Sequence, residues 1–258
     1  MLDGLERVKR ENKDIEFLPF AVYTTKGEGE LLKEYGVRSL KFPNKYLGRK
    51  KNAGLKALMK LEWDYLLELG SDDLISGKLI DLYKPYWKDG EPCFGIDSCY
   101  FIESKTGQVA YWSHDYAIGA GRCIKRTVFD GFGQRVKVRY LHSISGNMKG
   151  GKGKVALFTK KVADRMGKNV EIIERQDEPF GLWSDKRQIA LDADSTFRLG
   201  TNGFHVKVIK TGTDILVIDI KSGENIHGFK AFEPCTMGMK ELFKDFSKKE
   251  SDGVWQLG

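Results

Sequence analysis

The stretch LEWDYLLELGSDDLIS, residues 61–76, decides how the rest of the chain is read. Trp63, Tyr65, Leu66, Leu67 and Leu69 form an apolar run that stops on Gly70 and Ser71 and then offers two adjacent carboxylates, Asp72 and Asp73. A strand that crosses a core and surfaces beside a ligand has this pattern, since ligands of open α/β sheets bind outside the carboxyl ends of strands. The same letters also suit a helix start, with Ser71, Asp72 and Asp73 capping a helix that begins near Ile75.

Upstream, Leu2, Leu5 and Val8 share one helical stripe over residues 2–13. IEFLPFAVYTT (15–25) predicts a buried strand, GEGELLKEYG a short helix closed by Gly36, and VRSLKF a second strand. Leu55, Leu58 and Met59 give NKYLGRKKNAGLKALMKLEWD helical spacing before the decisive stretch. Downstream, GKLIDLYKPYW predicts a helix, EPCFGIDSCYFIESKTGQVAYW two strands around the turn SKTGQ, and GAGRCIKRTVFDGFG a Gly-rich loop entering a helix. DADSTFRLG reads as a short helix, HVKVIK and DILVIDI as strands, and 238–247 as a closing helix. Strands alternating with crossover helices predict an α/β fold with a mostly parallel sheet flanked by helices. Residues 1–133 form one half and 181–258 the remainder of the same domain. Between them, 134–180 is a Lys-, Arg- and Gly-rich insertion.

The 258 residues are 41% hydrophobic and 31% charged, which excludes a disordered chain and describes a soluble globular one. No run reaches the ~20 apolar residues of a membrane span, and MLDGLERVKRENK lacks a signal-peptide apolar core. A cytoplasmic protein is expected, touching an anionic surface peripherally at most. Lys and Arg number 43 against 36 Asp and Glu, a net charge of +7 that suits a polyanionic partner. The four cysteines, Cys93, Cys99, Cys123 and Cys235, have no C-x-x-C spacing and sit in apolar settings, as reduced core thiols do.

Four segments, LGRKKNAGL, LELGSDD, GAGRCIKRTVFDGFG and LDADSTFRL, occur in that order. Together they resemble the GT-A fold glycosyltransferases, particularly family two. The resemblance implies a nucleotide-sugar donor, an acceptor hydroxyl on a glycan, a lipid-linked sugar or modified nucleic acid, and inversion in one displacement. It puts Asp72 on the second aspartate of the D-x-D motif, which binds Mn²⁺ or Mg²⁺ bridging the donor diphosphate, with Asp73 assisting or bonding only to nearby backbone and Gly70 where the first aspartate would stand. Hard carboxylate oxygens suit either ion. Asp192 falls on the general base, with Leu191 in place of the preceding glutamate; Asp194 and Arg198 match the downstream acidic and basic positions. Arg49, Lys50, Lys51 and Asn52 fall on the donor side, Gly119, Gly121 and Arg122 on the segment close to acceptor and sugar. Trp183 stacks on a sugar or packs. The family pattern further implies a strand ahead of the first helix and an open sheet edge beside 15–25. It requires Asp72 and Asp192 to share one cleft.

Each motif also has a plainer reading. DADS suits a helix cap, the basic residues near Arg49 a solvated turn, and the glycines at 119 and 121 an ordinary loop. GNMKGGKG (146–153) satisfies the P-loop spacing G-x-x-x-x-G-K, but Gly153 stands where Ser or Thr would hold Mg²⁺. A mobile basic loop fits it better. His114, His142, His205 and His227 are scattered and form no ligand set, although His114 and His205 could reach a metal or acceptor. Two other classes stay open: a catalytically impaired polyanion-binding module using 134–175, and a nucleotidyltransferase on a similar sheet.

Overall fold

A computed structural model describes residues 2–130, 134–141, 154–177, 181–187, 191–222, 229, 232, 234–243, 247–249 and 255–257. The chain is mixed α/β and divides into two compact units, Met1–Pro19 with Tyr65–Lys125 and Val206–Gly258, and Phe20–Asp64 with Arg126–His205. Small mixed sheets flanked by helices build it.

The first unit carries two four-stranded sheets. In one, Val217–Lys221 runs antiparallel to Asp73–Ile75 and parallel to Ser98–Glu103, which turns back through a hairpin to Val109–Ser113. Gly107 takes φ 71° in that hairpin, as a tight turn between antiparallel strands demands. In the other, Cys93–Ile96 lies parallel to Lys207–Ile209 and antiparallel to Cys123–Lys125, which also pairs with Tyr65–Leu67. Val8, Ile75, Leu79, Ile80, Tyr83, Phe94, Ile96 and Val217 form the core. The helix Gly77–Lys88 contributes Leu79, Ile80 and Tyr83 on its buried face, and Gly90 at φ 70° ends the chain's helical course.

Two local expectations change here. Asp73–Ile75 is a strand, and the helix begins only at Gly77 behind Ser76, so Asp72 and Asp73 are not its caps. GAGRCIKRTVFDGFG does not lead straight into a helix: Cys123–Lys125 is a strand, followed by a 3₁₀ turn at Arg126–Phe129. Ile124 pairs with Leu66 on one side and Cys93 on the other, and this sheet pairing overrides the local helical pattern.

In the second unit, Phe20–Tyr23 and Arg38–Lys41 are parallel and joined through the helix Lys26–Glu34. Thr25 caps that helix: its hydroxyl accepts the Glu28 N–H while the Glu28 carboxylate accepts the Thr25 N–H. Gly36 at φ 64° follows its end, as GEGELLKEYG predicts. The helix Leu47–Leu58 packs on Phe20–Tyr23 so closely that a Cβ on Gly54 would collide with Val22 Cγ2. Within the basic region, Gln134–Tyr140 is the middle strand of an antiparallel sheet with Val155–Thr159 and Val170–Asp177. The strand Val155–Thr159 leads directly into the helix Lys160–Met166, and Ala163 packs against Val138, Tyr140 and Val170. GNMKGGKG lies outside the described residues. Leu191–Thr201 is helical, as DADSTFRLG predicts. The closing helix spans Met239–Leu242 only among the described residues. No described helix is long and apolar enough to cross a membrane.

Candidate metal centre

Asp219 of the strand Val217–Lys221 stands opposite Asp73 in the antiparallel register, and the Ile220 N–H donates to the Asp72 carbonyl at 2.9 Å. Carboxylate oxygens of Asp72, Asp73 and Asp219 therefore all lie within 4.8 Å of one another. The Gly70 N–H donates to Asp73 Oδ2. A Cβ at residue 70 would sit 2.6 Å from Asp72 Oδ1 and 3.1 Å from Asp73 Oδ2. Glycine thus leaves the room in which both carboxylates gather.

Strand alternation brings Lys221 to the same side as Asp219, and its Nζ lies 2.6 Å from Asp219 Oδ2. The ammonium also lies 5.1 Å from the Phe101 ring centroid and 5.9 Å from that of Phe232, two rings stacked at 3.7 Å. Asp73 is only 5% exposed. Burial, reinforced by the negative charge of Asp219, pushes its carboxyl up to about 7. Burial raises Asp219 to about 6 against the opposing pull of Lys221. Its Oδ1 is buried with no hydrogen-bond partner among the described residues. Three crowded hard oxygen donors, one of them unsatisfied, are the chemistry that suits Mg²⁺ or Mn²⁺. Asp219 carries no motif in the sequence; its signal is an acid inside the apolar run that follows Asp214 in DILVIDI.

Gly119, Gly121 and Arg122 belong to the same unit but serve its interior. The Arg122 guanidinium lies 2.9 Å from Glu68 Oε2, with side chains 0% and 7% exposed. The Glu68 N–H donates to the Arg122 carbonyl at 2.9 Å and the Gly121 N–H to the Glu68 carbonyl at 2.8 Å. Gly121 adopts φ 81°, and its carbonyl accepts the Tyr83 hydroxyl at 2.7 Å. The Gly119 carbonyl accepts the Arg122 N–H at 3.1 Å.

The second unit gathers the residues of LGRKKNAGL, GLWSD and LDADS. Asn52 Nδ2 donates to the Trp183 carbonyl at 2.6 Å and to Asp185 Oδ1 at 2.7 Å, while its Oδ1 accepts the Trp183 N–H at 3.1 Å. Trp183 is buried, and Lys51 Nζ lies 5.2 Å over its ring. The Gly48 N–H donates to the Arg187 carbonyl at 3.1 Å, and Arg49 is exposed. Asp194 is buried, accepts the Ser184 N–H, and forms ion pairs with Arg187 at 3.6 Å and Arg198 at 3.5 Å. Asp192 is half-buried in the first turn of the helix Leu191–Thr201. Asp72 and Asp73 thus belong to the first unit, and Arg49, Lys51, Asn52, Trp183, Asp192 and Asp194 to the second.

His114 and His205 are exposed, the former with its ring 3.7 Å from that of Tyr116. His142 and His227 lie outside the described residues. Cys93, Cys99, Cys123 and Cys235 are free thiols. No protein-family model matches the chain, and no curated protein matches it.

Proposed function

We propose that this protein is a metal-dependent glycosyltransferase that moves a sugar from a nucleotide-diphosphate sugar to an acceptor hydroxyl with inversion. The observation that carries the reading is the convergence of Asp219 with Asp72 and Asp73 beside the end of LELGSDD. Asp72, Asp73 and Asp219 would hold Mn²⁺ or Mg²⁺, which when bound offsets negative charge on a leaving diphosphate. The resemblance gives Asp192 the role of taking the proton of the acceptor hydroxyl as that oxygen attacks the anomeric carbon. It assigns Arg49 and Lys51 to the phosphate oxygens of the donor. The order of the four motifs supports a GT-A-like fold, although most strand pairs among the described residues are antiparallel. The acceptor class stays with the resemblance: a glycan, a lipid-linked sugar or a modified nucleic acid. A cytoplasmic setting belongs to the same proposal and agrees with the free cysteines.

The test is calorimetric screening of nucleotide sugars with and without Mn²⁺, followed by a transfer assay on Asp192→Asn. The variant is expected to bind donor but not to transfer sugar, and an unimpaired rate ends the assignment. One observation favours a second reading, a catalytically impaired polyanion-binding module: Lys221 already gives Asp219 a cation. Metal-independent binding of a polyanion that weakens steeply with salt would select it.

A further inference from the structure

The acidic cluster holds a cation of the chain's own. Three carboxylates crowd together, and among the described residues the ammonium of Lys221 lies 2.6 Å from Asp219 Oδ2. Lys221 is 8% exposed, and the Phe101 and Phe232 rings lie 5.1 and 5.9 Å from its Nζ. A desolvated ammonium beside aromatic faces and a carboxylate is well held, because ring quadrupole and anion attract it together. It leaves Asp219 Oδ1 buried and unsatisfied among the described residues, so one lysine does not exhaust the donors of this cluster.

We propose that Lys221 is a resident counter-cation, holding the cluster together until a divalent ion displaces its ammonium. The inference rests on the metal-binding reading and adds to it the residue that sets metal affinity. Lys221 satisfies only one oxygen of Asp219, whereas a divalent ion doubles the charge and bonds several oxygens at once. The lysine stem is flexible, with four carbons between backbone and charge, so the ammonium can leave without movement of the strand. Its departure frees a cation beside the centre for the phosphate oxygens of a donor.

Two measurements test this on the full chain. Mg²⁺ alone is titrated calorimetrically into the wild type and Lys221→Met at pH 8.5. The variant is expected to bind Mg²⁺ on the order of tenfold more tightly, since a competing charge in contact is gone. Separately, reductive methylation of the wild type is followed at residue 221 by peptide mass spectrometry. Modification is expected to be slow without Mg²⁺ and on the order of tenfold faster with it; mere repulsion across the site, without displacement, leaves that rate unchanged and overturns the inference. Equal Mg²⁺ affinities also overturn it while leaving the metal site standing. Failure of the wild type to bind Mg²⁺ or Mn²⁺ ends both readings. The methylation arm uses unaltered protein, so it decides the matter even where Lys221→Met fails to fold.

Discussion

Asp219 faces Asp73 across an antiparallel strand pair, so that two carboxylates are brought together with the ammonium of Lys221 beside one of them. This pairing joins segments 146 positions apart (219 − 73). It also crowds negative charge, which a bound cation would relieve.

Stability should therefore fall as pH rises. In the native state Asp73 holds its proton up to about 7 and Asp219 up to about 6, against an ordinary value of 3.8. Between those values the folded chain binds more protons than the unfolded one, so stability is lost as they leave. The depressed carboxyls of Asp14, Glu28 and Asp97 act in the opposite direction, but their effect lies below 4.5. Denaturant melts without metal should give a higher midpoint at pH 5.5 than at pH 8, and Mn²⁺ should close the gap. An equal or higher midpoint at pH 8 without metal contradicts this.

Asp73→Asn separates stability from function. The amide keeps an oxygen for the Gly70 N–H and removes a buried charge, so metal-free stability at pH 8 should rise by ~1–3 kcal/mol. The Mn²⁺-induced rise in Tm should vanish. Retention of that shift would remove Asp73 from the ligand set.

Much of this arrangement was legible locally. The short helix closed by Gly36 and the helix around Leu55 follow from residues within one or two turns of each other. What escaped was set by distant pairing. Ile124 is a strand residue because Leu66 and Cys93 flank it, and the sheets mix directions because Val217–Lys221 enters between Asp73–Ile75 and Ser98–Glu103. Asp72 and Asp73 stood out as a pair, whereas Asp219 sits in an apolar run whose partner strand no local pattern names. Asn52 and Arg122 drew attention as polar residues in motifs. Their bonds to Trp183 and Glu68 are likewise contacts that spacing alone does not encode.

Gly70→Ala tests the space kept for the carboxylates. The new Cβ would meet Asp72 Oδ1 at 2.6 Å, and that short side chain can swing aside. The fold should lose no more than ~1 kcal/mol, while Mn²⁺ affinity drops by on the order of tenfold because Asp72 is turned away. Unchanged affinity would show that Asp72 is no ligand.

Arg122→Met probes the buried ion pair. Removing one partner of a buried pair leaves the other charge uncompensated and costs about 3–5 kcal/mol. The double variant Arg122→Met, Glu68→Met should recover most of that loss in urea melts. A stable single variant with weakened sugar binding would instead put Arg122 on the ligand.

Asn52→Ala examines the second unit. The Asn52 amide bonds both backbone groups of Trp183 and the Asp185 carboxylate, fastening Gly181–Arg187 to the helix Leu47–Leu58. Each lost bond among buried groups costs ~1 kcal/mol, so the variant should lose ~2–3 kcal/mol and expose the Asp185–Arg187 segment to limited proteolysis. Asn52→Asp should be worse, because a carboxylate donates to neither acceptor and adds a charge beside Asp185. Donor affinity separates the two roles of this residue. A clamp weakens it only in proportion to the loss of folded protein, whereas loss of donor binding at wild-type stability would make Asn52 a direct ligand of the nucleotide.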